Sequence, residues 1–360
     1  MRATRFGIAI LLFTVSMSVT AQQPIAPQDY FYDPTSTEYE PDYLNTYSII
    51  VRDPTTGELG IGVASRVLAV GRNGSSFRGG VGVIVHQMSS NPFYGRIGME
   101  MLMAGLHPQE VMAQLVRSDE ASARRQVAIL DIQGRSAAFT GGGPVGLEAY
   151  SHPREDPEEA WKGHRCGIDY CAQANSMVGP EVVEGMAESF ESTLGKPLAD
   201  RILDAMDAAQ LAGGDRRGQQ SAALFIVQLR GGAADYSDVA EDLRVNDHPT
   251  PLAELRRLLT VRRSRGIIAS ANQAFEDSDQ ERALATLLEL RDRIPGKDNV
   301  WIALANMYLQ LGRRVDALEA IRRAVEINPY NTRRGSGGLP RNSSFEALRT
   351  DPEWIRIMDR

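Results

Sequence analysis

Taken as a pattern of apolar and polar positions, the chain falls into a first part of period-two and short apolar runs and a last part with helical periodicity throughout. Asn45-Thr46-Tyr47-Ser48-Ile49-Ile50-Val51-Arg52 turns through Asp53-Pro54-Thr55-Thr56-Gly57 and returns as Leu59-Gly60-Ile61-Gly62-Val63-Ala64-Ser65, which predicts a β-hairpin. Gly60 and Gly62 strip side chains from one face of the return strand, so a backbone or a ligand is expected to approach closely there. A Gly/Ser-rich loop over 72–80 leads to an apolar strand from Val81 to Met88 that ends in polar residues. Two helices follow, one opened by Asn91-Pro92-Phe93-Tyr94-Gly95 and one by His107-Pro108. Strands over 125–131 and 136–140 run into Gly141-Gly142-Gly143, whose N–H groups could reach a ligand or simply close a turn. Residues 144–163 read as an acidic surface excursion. Another strand covers 170–177, then helices through Val182, Met186 and Phe190 and through Leu198, Ile202 and Met206, and a strand at 222–227. That order predicts antiparallel sheets with helices on their outer faces, an α+β arrangement of four layers, αββα.

Composition narrows the class. With 42% hydrophobic residues over 360 positions there is material for two cores, and a net charge of −7 argues against general nucleic-acid binding and against a polybasic membrane patch. The N-terminus has the form of an export signal over 1–21: a basic Met1-Arg2-Ala3-Thr4-Arg5, an apolar run from Phe6 to Val19, and a small-residue site, Val19-Thr20-Ala21, before Gln22. That run is short for a membrane span, and no second one reaches about 18 apolar residues. Residues 22–45, rich in Pro, Tyr, Asp and Glu, read as a linker or pro-segment. In an exported chain Cys166 and Cys171 favour a small-loop disulfide. A metal at these cysteines with His164 would lack ligands and standard spacing, and no metal or cofactor is expected.

The candidate chemistry begins at Thr46. A cut between Asn45 and Thr46 would free an α-amine with a pKa of about 8, placing a hydroxyl nucleophile and a general base on one residue. The loop Gly213-Gly214-Asp215-Arg216-Arg217-Gly218-Gln219-Gln220-Ser221, dense in glycine, charge and amides before a buried strand, is a candidate site rim. His86, alone at a strand end, fits a structural histidine better than a base, and the methionines from Met99 to Met112 fit core filling.

Thr46-Tyr47-Ser48-Ile49, Val63-Ala64-Ser65, Asn91-Pro92-Phe93-Tyr94-Gly95, Ala174-Asn175 and the 213–224 loop together resemble the bacterial domain of unknown function 1028 family, over about Thr46 to Gln228. The resemblance implies an N-terminal-nucleophile hydrolase-like fold for 46–230, with Thr46 at the nucleophile position. On that footing Thr46, Asn175 and Asp215 are the catalytic candidates, Asn175 as donor to the oxyanion and Asp215 with Arg217 as orienters of the amine or of a charged substrate end. Ser65, Gln87, Asn91, Tyr94, Arg217 and Gln220 are the substrate-binding candidates. His86 departs from the family pattern, where a small hydroxyl residue is expected.

After a linker at 231–263, residues 264–332 are purely helical. Trp301 to Gly312, then Ala317 to Val325 and Asn328-Pro329, resemble a tetratricopeptide repeat, with a weaker copy from Ile267 to Pro295. Residues 333–360 read as a break and a capping helix from Phe345 to Met358. Two repeats are few to stand alone, so they are expected to pack on the first domain, on a second copy of the chain or on another protein. Two functions follow: an exported amidohydrolase acting on a small amide or peptide, or a non-catalytic exported binding or scaffold protein using the repeats.

Overall fold

The computed structural model describes residues 46–360 apart from 73, 155, 157, 158, 233, 234, 335–337 and 360. The expected export signal and pro-segment lie outside the described residues. The predicted hairpin forms as β1 (Thr46–Arg52) and β2 (Leu59–Ser65), in the register Thr46 to Ser65 and Arg52 to Leu59. Chain order then runs β3 (Ser75–Arg78), β4 (Gly82–Met88), α1 (Pro92–Met103), α2 (Pro108–Arg117), β5 (Arg125–Asp131) and β6 (Ser136–Thr140). It continues with β7 (Ala149–Ser151), β8 (Trp161–Gly167), β9 (Tyr170–Met177), α3 (Glu181–Ser192), α4 (Leu198–Leu211), β10 (Ser221–Val227) and β11 (Val239–Val245).

The strands make two sheets with every pairing antiparallel: β11-β10-β2-β1-β9-β8-β7, and β3-β4-β5-β6. Because side chains alternate along a strand, each sheet has two working faces. Ile50, Ile61, Val63 and Phe225 of the large sheet pack against Val83, Val85, Ala128 and Leu130 of the small one. On the other face of the large sheet Tyr47, Ile49 and Val51 meet Val182, Met186, Ile202 and Met206 of α3 and α4. On the outer face of the small sheet Ile84, Val127 and Ile129 meet Leu102, Val111, Met112 and Leu115 of α1 and α2. Helices, sheet, sheet and helices follow one another.

Gly60 and Gly62 do not line a ligand groove. A Cβ at Gly62 would stand 2.5 Å from Ile202 Cγ2 and 3.0 Å from Met206 Cγ, and one at Gly60 would overlap Ile202 Cδ1. The bare face of β2 is where α4 seats. Likewise the N–H groups of Gly141 and Gly143 go to Arg125 O and Thr140 O, so the triplet closes a turn.

Four strands escape the apolar pattern, one of them β11 in the stretch read as a linker. β3 lies in the 72–80 stretch read as loop, and β7 and β8 lie in the supposed excursion. β8 reads Trp-Lys-Gly-His-Arg-Cys-Gly because its inward His164 hydrogen-bonds a polar partner, as set out below. Cys166 and Cys171, cross-strand partners at the β8–β9 turn, are joined in a disulfide.

The 231–263 stretch is part of the first domain and not a linker. β11 extends the large sheet beside β10, and α5 (Pro251–Glu276) lays Leu252, Leu255 and Leu259 on the same core as α3 and α4. Each such leucine contributes about 1.5–3 kcal/mol of burial, more than the half-exposed ion pairs of Arg256 with Asp204 and Asp207. At 1.5 Å per residue α5 is roughly 39 Å long, and its second half, through Ala271 and Ala274, belongs to a separate helical core. That core contains α6 (Gln280–Arg293), α7 (Asp298–Gln310) and α8 (Arg314–Ile327), followed by α9 (Pro329–Arg334) and α10 (Pro352–Asp359). Ala305 and Ala324 are fully buried where α7 meets α8, while Trp301 and Tyr308 are only partly covered. Phe345, Leu348, Trp354 and Ile357 close the end of this core.

Candidate functional site

At the end of the inter-sheet layer the strand registers assemble a row of polar side chains. Ser221 of β10, Ser65 of β2, Thr46 of β1, Asn175 of β9 and Lys162 of β8 stand opposite one another across five adjacent strands. Thr46 is 7% exposed and Ser48, two residues further in, is 0%, so Thr46 sits at the lip of the layer. Its Oγ1 lies 3.0 Å from Ser65 Oγ.

Below the row is a buried hydrogen-bond network whose directions can be worked out from atoms that only accept. Gly163 O and Ala174 O, both 3.0 Å away, require Gln126 Nε2 to be the donor there, which leaves Gln126 Oε1 as an acceptor. That oxygen takes Gln87 Nε2 at 2.7 Å and Asn175 Nδ2 at 2.9 Å. The same two nitrogens also donate to Thr46 O, at 2.9 and 3.2 Å. Gln87 Oε1 accepts from Ser48 Oγ at 2.7 Å. Asn175 Oδ1 is buried with no partner among the described residues.

The far branch is settled the same way. Leu147 O, 3.1 Å from His164 Nε2, requires the proton on that nitrogen. Burial lowers the His164 pKa to about 4, so the ring is neutral and Nδ1 accepts from Thr140 Oγ1 at 2.8 Å. Gln126 Nε2 also lies 2.9 Å from Thr140 Oγ1, so its two hydrogens are shared among three acceptors.

Asp215 is tied to both neighbours of β1. Its Oδ2 accepts from the N–H of Arg66, the residue after β2, at 3.2 Å, and it forms an isolated antiparallel bridge with Met177 at the end of β9. Since β1 lies between β2 and β9, Asp215 is linked to both strands that flank β1, at the end where Thr46 begins. Its charge reaches the strand: burial first, then Asp207 and Asp215, hold the Tyr47 phenol well above its ordinary pKa. Tyr47 donates to Gln210 Oε1 at 3.0 Å.

The sequence candidates therefore separate. Thr46, Ser65, Gln87, Asn175 and Asp215 converge. Asn175, expected as an oxyanion donor, has its Nδ2 committed to Thr46 O and Gln126 and acts as a positioner of Thr46. Arg217 folds back on Asp215 through its backbone N–H at 2.9 Å and Nη2 at 3.1 Å, within one turn of chain. Gln220 gives its N–H to Ser65 O but points its amide at Asp247, 3.2 Å away. Asn91 caps α1 and donates to Asp119 at 3.1 Å, while Asp119 pairs with Arg125 at 2.8 Å; Tyr94, held above its usual pKa by burial and then Asp119, faces the same pair. That cluster lies on the helix-facing side of the small sheet, not in the row with Thr46. His86 shares that side, against Gly95 of α1 and 2.5 Å from Ser90 Oγ. Burial, then Arg125, lowers its pKa to about 4, as suits a structural ring.

Gln126, Thr140, His164 and Lys162 were not among the candidates. A glutamine directly before the apolar run Val127-Ala128-Ile129-Leu130, in the same strand, was the available signal, since a buried amide must find partners. Among the described residues no group of His, Cys, Asp and Glu could hold a metal ion, and no helix is long and apolar enough to cross a membrane.

Comparison with known proteins adds the following. The model of the "Family of unknown function (DUF1028)" matches residues 46–255, starting on Thr46 itself. A crystal structure of a protein from Silicibacter pomeroyi, also assigned to DUF1028, aligns with a TM-score of 0.51 at 26% identity, over 61% of this chain and 86% of that one. No curated protein matches the sequence.

Proposed function

The chain belongs to the family of unknown function DUF1028, and starting from that membership we propose that it is an exported amidohydrolase of the N-terminal-nucleophile type, with Thr46 as the nucleophile. The carrying observation is that Asp215 is tethered to the ends of both strands flanking β1, the ends level with Thr46, whose hydroxyl is 3.0 Å from Ser65 Oγ. Cleavage between Asn45 and Thr46 would release an α-amine at that strand end. The layered sheets and the match that begins on Thr46 support the same reading.

In this mechanism the amine takes the proton of Thr46 Oγ as that oxygen attacks the amide carbonyl. Asp215 stabilises the ammonium so formed, and Ser65 Oγ holds the threonine rotamer. Gln87 and Asn175 clamp the Thr46 carbonyl, so the nucleophile's backbone stays fixed through the reaction. The helical region, with α5 to α8 as two tetratricopeptide-type hairpins, would bring a protein partner to the enzyme.

N-terminal sequencing of the mature protein tests the proposal. A chain that starts at Thr46, and loses all amide hydrolysis in Thr46→Ala with little change in Tm, is the expected result. A mature chain starting at Gln22, or full turnover by Thr46→Ala, would overturn it and favour the binding-protein alternative. A screen against an amide library then identifies the substrate.

A further inference from the structure

We propose that Lys162 and Asn175 Oδ1 form a subsite beside Thr46 for an amide whose nitrogen side carries a carboxylate, the R–CO–NH–CHR′–COO⁻ group of an N-acyl amino acid or of a peptide's C-terminal residue. The inference deepens the hydrolase reading and rests on it for the reaction, though not for the binding.

Three observations carry it. Lys162 is paired with Asn175, and Asn175 with Thr46, in consecutive registers, so the three side chains occupy one row on the inter-sheet face. Neighbouring strands are about 4.8 Å apart, which places Asn175 midway along a row of roughly 10 Å. Asn175 Oδ1 is a buried acceptor with no partner among the described residues, and the network fixes it as oxygen, because its Nδ2 donates to two atoms that can only accept. Lys162 is half-buried, and among the described residues its ammonium has no hydrogen bond or ion pair. Its charged surroundings are Glu159, which favours the ammonium, and His152, whose basicity the ammonium lowers; burial holds Lys162 below the usual lysine pKa. Among the described residues Glu159 acts on this cation only at a distance and no carboxylate contacts it, so an anionic ligand would supply the direct partner.

The order of groups fits. One peptide unit spans about 3.8 Å, so a carbonyl at Thr46 puts the next N–H at Asn175 Oδ1 and the carboxylate toward Lys162. In hydrolysis the acyl carbon passes from nitrogen to Thr46 Oγ, the hydroxyl proton leaves on the amino-acid nitrogen, and water releases the carboxylic acid.

The test uses the mature protein and a probe that cannot be cleaved, N-benzenesulfonylglycine, against its primary carboxamide and its N-methyl derivative, by titration calorimetry. Wild type should favour the carboxylate over the carboxamide by about tenfold or more, as a desolvated charge pair requires. Lys162→Met should bring that ratio to about one, Lys162→Arg should keep most of it, and N-methylation should weaken binding several-fold. Equal binding of acid and carboxamide by wild type, or an unchanged ratio in Lys162→Met, overturns the subsite. An N-methyl probe that binds as well as its parent removes Asn175 from it. Hydrolysis of N-acetyl amino acids and dipeptides is followed in parallel. Lys162-dependent binding without turnover sustains the subsite and sinks the hydrolase, whereas turnover indifferent to the carboxylate does the reverse.

Discussion

Whether Gly60 and Gly62 seat a helix or line a groove can be decided by a double-mutant cycle with Ile202. A methyl added at Gly62 meets Ile202 Cγ2 at 2.5 Å and Met206 Cγ and Sδ at 3.0 and 3.1 Å, all on side chains that are themselves fully buried. Overpacking of this kind costs about 1–3 kcal/mol. Replacing a strand glycine by alanine returns roughly 0.5–1 kcal/mol of chain entropy, so overpacking wins and Gly62→Ala should lose about 2 kcal/mol. For a domain of this size that is a fall in Tm of roughly 4–8 °C. At Gly60 the obstruction is Ile202 Cδ1, the end of a side chain that can turn aside, and the loss should be nearer 1 kcal/mol. Ile202→Val deletes Cδ1 and keeps Cγ2. It should therefore relieve Gly60→Ala, with a coupling of about 1 kcal/mol or more, and leave Gly62→Ala unrelieved. Urea midpoints of the two single glycine variants, Ile202→Val and the two doubles give the cycle, with m unchanged if only stability moves. If Gly60→Ala and Gly62→Ala unfold like the parent, or Ile202→Val treats them alike, α4 does not seat there as described.

Three further outcomes follow from the packing and the network. His86 and His164 titrate near pH 4 when folded and near 6.5 when unfolded; the unfolded chain then binds more protons between those values, so stability should fall as pH drops from 6.5 to 4, by about 3 kcal/mol for each ring. Urea midpoints across that range should fall less steeply in His86→Gln, and a flat profile in the parent would contradict the assigned neutral rings. Asp215→Asn keeps the shape of the loop but removes the charge at the start of β1; under the proposed mechanism amide turnover should drop by about 10²–10⁴ while circular dichroism is unaltered, and undiminished turnover would remove Asp215 from the reaction. A chain ending at residue 230 loses β11 and the leucines of α5 and should be insoluble, whereas one ending at 266 keeps Leu252, Leu255 and Leu259 and should unfold cooperatively on heating; equal solubility of the two would restore 231–263 as a linker.

The amino-acid sequence alone was enough for elements whose pattern is local. Alternating runs placed β1, β2, β4, β5, β6, β9 and β10, and helical spacing with proline at the first turn placed α1 and α2. Hydroxyls and amides at strand ends made Thr46, Ser65, Gln87 and Asn175 stand out against apolar runs, and a glycine- and charge-rich loop did so for Asp215, but their roles, with those of Asn91, Tyr94, Arg217 and Gln220, were implied only by the family resemblance. Tertiary structure decided what each of them does. Asn175 donates to Thr46 O because β9 pairs with β1 across a sequence separation of 129 residues, a register that no local pattern fixes; Lys162 joins the row because β8 is the hairpin partner of β9, but its place beside Thr46 depends on that same long-range pairing. β8 and α5 were missed for one physical reason: their partners, the polar network for one and two different cores for the other, exist only after the sheets have closed. A residue's identity states which bonds it can make, and the packing of distant segments selects the ones it does make.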